Sequence, residues 1–210
     1  MEIVPIKIDA GEAKAWEEVC SLSREDVCKR TLATYDAKAG AYLLRCFGID
    51  FHVEPCEMQI ACSDPRGRIF LDKLKTYFRL TVLCYMSSAL EIPATGRLIR
   101  PVDVKGGHRF SAGTHVLPLD TVATRYARDK AGFISRAESY GAEVVSGFGD
   151  ACIRIFPVPR VPITLILWMD DDEFPAKVDL FFDSTCEYQL SRSATIWAPA
   201  LMACIIMAWE

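Results

Sequence analysis

Four consecutive carboxylates, Asp170-Asp171-Asp172-Glu173, stand between the apolar run Leu167-Trp168-Met169 and Phe174-Pro175. Adjacent carboxylates repel one another, so such a run must be solvated, neutralised by basic groups or bound to a cation. Oxygen ligands suit magnesium or calcium, yet the spacing matches no calcium-binding loop. A fifth acid, Asp183, follows Leu180-Phe181-Phe182. If the two apolar runs pair as a hairpin, Asp183 returns toward the start of the first strand and away from the acidic run. Three readings stay open: a solvated turn, a partner or ligand surface, and a metal site drawn from Asp171, Asp172, Glu173 and Asp183.

Two of the three histidines, His108 and His115, share the glycine-rich stretch that begins at Gly106-Gly107 and includes Gly113. Glycine lets backbone approach a ligand closely, and imidazole serves as base or ligand. The stretch lacks the strand–G-x-G-x-x-G–helix frame and the Gly-Lys-Ser/Thr ending of phosphate loops. The third histidine, His52, sits between Phe51 and Val53 in an expected strand and reads as structural. Arg160, inside the segment Phe156-Pro157-Val158-Pro159-Arg160-Val161-Pro162, would present a guanidinium from a stiff connection at a sheet edge. No Gly-x-Ser-x-Gly nucleophile elbow occurs. The catalytic alternative is a divalent-metal-assisted hydrolase, with His108 or His115 as base and the acidic run as metal ligands.

The 210 residues carry 51% hydrophobic and 25% charged side chains, which excludes a disordered or collagen-like chain and supplies a full core. A net charge of −4 with no basic, aromatic platform excludes a nucleic-acid binder. Met1–Ala10 contains no apolar signal-peptide core, and the uncharged stretch Ala194–Trp209 is shorter than the ~20 residues a spanning helix needs. A cytoplasmic protein without membrane contact is expected. Ala194–Trp209 then reads as a buried terminal element or as a contact between copies of the chain. Nine cysteines form no C-x-x-C pair, and an odd count fits a closed disulfide framework poorly. They are expected to be reduced thiols, several of them small core hydrophobes.

These residues need elements to hold them. Asp9 and Glu12 fit a capping box opening a helix with the stripe Ala13, Trp16, Val19 and Cys20; Ser23 with Asp26 opens another. Ala41–Phe47 and Asp50–Val53 read as strands around Gly48, with Glu57–Cys62 a third. Leu71–Leu90 has helical spacing, Leu98–Val104 is extended, and Asp120 caps a helical region reaching Tyr140 with Gly141 beyond its end. Glu143–Val145, Ala151–Phe156, Ile163–Trp168 and Val178–Phe182 read as strands, and the three prolines from Pro157 to Pro162 argue against central pairing there. Phe174 is expected to be buried, so that Phe174→Ala would cost ~3–5 kcal/mol. The whole is an α+β fold: antiparallel sheets with helices packed on one side. One compact domain spans 1–210, with N-terminal helices at about 9–36 and two loosely similar halves at about 37–105 and 106–210.

Several motifs occur in an order that resembles an uncharacterised prokaryotic family. They are Gly106-Gly107 with Phe110, Gly113 and His115; Gly149-Asp150; Pro159-Arg160-Val161-Pro162; Trp168 with Asp171-Asp172-Glu173-Phe174-Pro175; and Leu180-Phe181-Phe182-Asp183. The family is the domain of unknown function numbered 3786, and the resemblance runs from Tyr35-Asp36 onward. It implies an origin among anaerobes and, from relatives fused to an iron–sulfur domain, a redox setting. This chain lacks the four-cysteine cluster segment, no cofactor is implied for it, and no activity transfers. The expected function is a ligand-binding or accessory domain of redox or cofactor metabolism. Its partner would be a small molecule or a redox or iron–sulfur protein, and its candidate binding residues are Gly106, Gly107, His115, Arg160, Trp168, Asp172, Glu173 and Asp183.

Overall fold

The computed structural model describes residues 9–107, 116–190 and 193–209. Helix α1 (Asp9–Ser21) buries Trp16 and Val19; the capping expected of Asp9 lies outside the described side chains. Helix α2 (Arg24–Thr31) starts where Ser23 accepts the Asp26 amide and ends at Leu32, in the left-handed region at φ 60°. Strands β1 (Thr34–Asp36), β2 (Ala41–Cys46), β3 (Ile49–Glu54) and β4 (Gln59–Ala61) follow as an antiparallel sheet in chain order. Period-2 alternation turns Tyr42, Leu44 and Cys46 of β2 and Ile49, Phe51 and Val53 of β3 inward. Cys46 pairs with Ile49, so Phe47-Gly48 is the whole turn, and both residues have positive φ (49° and 70°), as a tight hairpin turn requires. β1 had no signal of its own: it is three residues long and buries none of them.

Helix α3 (Lys75–Ser88) carries Phe78, Val82 and Met86 into the core, and the turn before it supplies Phe70. The Phe47, Phe51, Phe70 and Phe78 rings meet at centroid distances of 4.5–6.0 Å, which locks the first sheet to α3. A second antiparallel sheet has the order β5-β9-β8-β7-β6, from β5 (Leu98–Ile99), β6 (Glu143–Val145), β7 (Ala151–Val158), β8 (Val161–Trp168) and β9 (Lys177–Asp183). The antiparallel α+β expectation therefore holds. The prolines, however, do not interrupt the sheet. Pro157 lies in β7 at an irregularity between Ile155 and Val158, Pro162 lies in β8, and Pro159-Arg160 is the hairpin turn joining Val158 to Val161. The irregular register lets proline sit where no ladder donor is needed. It also frees the Phe156 carbonyl, which accepts the Phe47 amide at 2.7 Å and ties the two sheets together.

The region from Asp120 to Tyr140 is two helices, α4 (Leu119–Arg125) and α5 (Lys130–Glu138), because Asp129 folds back to cap the second through the Gly132 amide. After the short α6 (Cys186–Gln189) comes α7 (Ser193–Ala208). Every residue of α7 from Thr195 to Ala208 is buried, and Trp197 meets Tyr77 of α3 edge-on at 5.6 Å. Its last carbonyls are satisfied by donors from α4 and α5: Arg125 to Ala208, the Tyr126 hydroxyl to Met207 and Arg136 to Ile206. Thr195–Ala208 is thus a core helix, the buried terminal element of the two expected readings, and Trp209 is exposed beyond its end. Buried side chains from both sheets and from α3 and α7 form one continuous cluster. Among the described residues no helix is long and apolar enough to cross a membrane.

One cysteine expectation is overturned. Cys20, at the end of α1, and Cys56, in the turn after β3, form a disulfide across 36 residues of sequence, with Cα atoms 5.3 Å apart. Sequence spacing gave no sign of it, because the fold and not the chain brings the two together. Of the free thiols, Cys46, Cys152, Cys186 and Cys204 are buried. Burial pushes the Cys186 and Cys204 thiols up to about 12, so they behave as core hydrophobes.

Candidate functional site

The repulsion within Asp170–Glu173 is resolved by giving each carboxylate a different task. The Asp170 carboxylate takes the Arg128 Nε at 2.8 and 3.0 Å, and its amide donates to the Ala127 carbonyl at 3.0 Å, so the loop between α4 and α5 braces the tip. Asp171 turns its carboxylate inward, accepting the amides of Phe174 at 2.7 Å and Glu173 at 2.9 Å. Those two amides hold its carboxyl below the ordinary range. Asp172 and Glu173 are exposed, and their carboxylates have no hydrogen-bonded or ionic partner among the described residues. The tip is anchored from the other side by Asp150, whose carboxylate accepts the Met169 amide at 2.8 Å.

Around these carboxylates lies apolar surface. Trp168 pairs with Lys177 across the hairpin and is 45% exposed, its indole N–H donating to Asp179 at 3.0 Å. Phe174 is 66% exposed, contrary to the expected burial, because the Asp171 turn points it outward. Phe148 is 47% exposed on the neighbouring turn, which packs at Gly149 against Ile166 and Leu167. Three aromatic side chains and two unpartnered carboxylates thus share one end of the second sheet, on hydrogen-bonded turns. Sequence reasoning missed Phe148 and Arg128. The signal for the first was an aromatic residue between two turn glycines, Gly147 and Gly149; for Arg128 there was none.

The other candidates stand elsewhere. Asp183 closes β9 at the end away from the tip, roughly 20 Å along a seven-residue strand. It is 2% exposed, and its carboxylate accepts the Gly96 amide at 2.7 Å, the Thr185 hydroxyl at 2.7 Å and the amides of Thr185 and Thr95 at 3.0 and 3.2 Å. Burial by itself raises its carboxyl, and these donors outweigh burial and hold it below the ordinary range. Arg160 spends its guanidinium on the last carbonyls of α2, Arg30 at 2.6 Å and Lys29 at 3.2 Å, and its amide on the Tyr85 hydroxyl. Gly106 supplies a positive φ of 77°. Gly107 is needed because a Cβ would lie 1.9 Å from the Pro101 carbonyl oxygen, so it serves chain packing. His108 and His115, with Phe110 and Gly113, lie outside the described residues. His52 is exposed on β3 opposite Leu43.

These candidate positions do not converge on one site among the described residues: Trp168, Asp172 and Glu173 gather at the hairpin tip, while Asp183 and Arg160 are spent on structural locks. No three metal-ligating side chains stand together among the described residues. Open hollows among the described residues include one of about 620 Å³ beside Arg125, Asp129 and Arg136 and one of about 290 Å³ beside the Cys20–Cys56 bond.

Two antiparallel sheets around a shared helical core define an α+β domain with an acidic, aromatic hairpin tip. The chain belongs to the domain-of-unknown-function family DUF3786, whose sequence profile matches residues 24–203. No curated protein and no solved structure matches it.

Proposed function

We propose that the protein is an accessory domain without chemistry of its own, working through a surface contact at the hairpin tip. The observation that carries this reading is the exposure of Trp168 and Phe174 at a braced turn beside Asp172 and Glu173, whose carboxylates have no partner among the described residues. A solvated turn needs no aromatic rings in water; aromatic anchors rimmed by unpaired charge suit a partner surface. The sign of that charge selects a basic partner surface with an apolar recess. A redox or iron–sulfur protein is the partner class that the family resemblance suggests by association.

A photo-reactive phenylalanine at position 174, with the same group at Lys38 on the far sheet as control, tests the contact in cells of the native host. A discrete adduct from position 174 that is absent from position 38 supports the reading. Equal adduct patterns from both positions, or none from 174, refute it.

A further inference from the structure

The only cross-link among the described residues joins two exposed cysteines, Cys20 and Cys56, at the rim of an open hollow that also includes Glu17, Ser21, Pro55 and Met58. The link fastens α1 to the turn after β3. Besides it, α1 is held by Trp16 and Val19 in the core and by the Glu12–Arg79 ion pair at 2.8 Å. That pair is half-buried and is the one ion pair between α1 and the rest of the described residues. α1 also lies before residue 24, where the family match begins. Four of the seven free thiols are buried, which leaves this surface bond as the sulfur site that a protein-sized thiol reaches most directly.

We propose that Cys20–Cys56 is a thiol–disulfide exchange site that latches α1, opened by a dithiol reductant. A thiolate of the reductant attacks one of the two sulfurs and breaks the Cys20–Cys56 bond, forming a mixed disulfide. The sulfur that leaves takes up a proton. The second thiol of the reductant then attacks the reductant's own sulfur in the mixed disulfide, giving up its proton, and the other cysteine leaves as a thiolate that takes up a proton in turn. Two electrons and two protons pass to the protein, and the reductant departs as its own disulfide. With the cross-link gone, α1 stays docked through Trp16, Val19 and the Glu12–Arg79 pair and opens far more often, uncovering the apolar seat of Trp16 and Val19. The site is independent of the hairpin tip, so failure of either proposal leaves the other standing.

The test uses the full chain in its oxidised form, without denaturant, and dithiothreitol as the probe. Mass spectrometry is expected to show complete uptake of two hydrogens at this bond. Hydrogen exchange of the α1 amides should then accelerate on the order of a hundred-fold, with β8 unchanged, as removal of a long-range cross-link allows. C20S/C56S should exchange like the reduced form. A bond that yields only after denaturant is added would mark a purely structural cross-link and overturn the proposal. So would reduction that leaves α1 exchange within two-fold of the oxidised protein, or a pair of thiols that oxidised glutathione fails to join. Because the reduction arm uses the natural sequence, it decides the matter even where the serine variant does not fold.

Discussion

Asp183 and Gly96, far apart in sequence, are joined by a 2.7 Å hydrogen bond from the glycine amide to a carboxylate that is 2% exposed. Thr95 and Thr185 complete the cage, which fixes the chain entering β5 to the end of β9. An acid that looked available for chemistry in the sequence is therefore a structural lock. Asp183→Ala should destabilise the protein by about 2–4 kcal/mol, because several donors lose a charged acceptor at once, measured as the shift in urea unfolding. Its pH signature follows from the direction of the shift. The folded carboxyl sits below its unfolded value, so the folded state binds fewer protons. Its contribution is present above roughly pH 4 and is lost as the pH falls through the folded value. The Asp183→Ala variant should accordingly lose less stability on acidification than the natural protein does.

Phe174→Ala should change stability by less than about 0.5 kcal/mol, since the ring is 66% exposed and leaves no cavity behind. Thermal unfolding of the variant beside the natural protein checks this. A loss near the ~3–5 kcal/mol typical of a buried phenylalanine would mean that the ring is covered in solution.

Gly48 and Gly141 touch backbone to backbone: a Cβ on Gly48 would lie 2.7 Å from the Gly141 Cα. With φ at +70° as well, Gly48→Ala is expected to cost more than about 2 kcal/mol and to separate the first hairpin from the end of α5, read by chemical denaturation. Gly40, also at positive φ but with open space around it, should tolerate alanine at about 1–2 kcal/mol and serves as the control.

Arg160→Ala should unseat the end of α2, where it caps the carbonyls of Lys29 and Arg30, at a cost of about 1–3 kcal/mol. Faster hydrogen exchange confined to Arg24–Thr31 and its neighbours is the expected local readout.

The strands and helices that bury one face were legible because apolar spacing reports burial directly: the alternation in β2 and β3 and the stripe of α3 are examples. β1 was silent because it is short and none of its side chains is buried. The prolines misled because a strand irregularity absorbs what a regular ladder would reject. For the site, the acidic run was visible and its division of labour was not. That Asp170 finds Arg128 and that Asp183 points into a cage depend on contacts across distant sequence, and Asp171 is spent on the amides of its own turn. The Cys20–Cys56 bond was hidden for the same reason.

Charge reversal at the two unpartnered carboxylates, D172K/E173K, read by photo-cross-linking from position 174 alongside urea unfolding, tests the account most directly. Stability should stay within about 0.5 kcal/mol of the parent, since neither side chain holds the fold together, while the adduct formed from position 174 disappears. Retention of the adduct, or unfolding at markedly lower urea, would contradict the assignment of this turn as a docking surface.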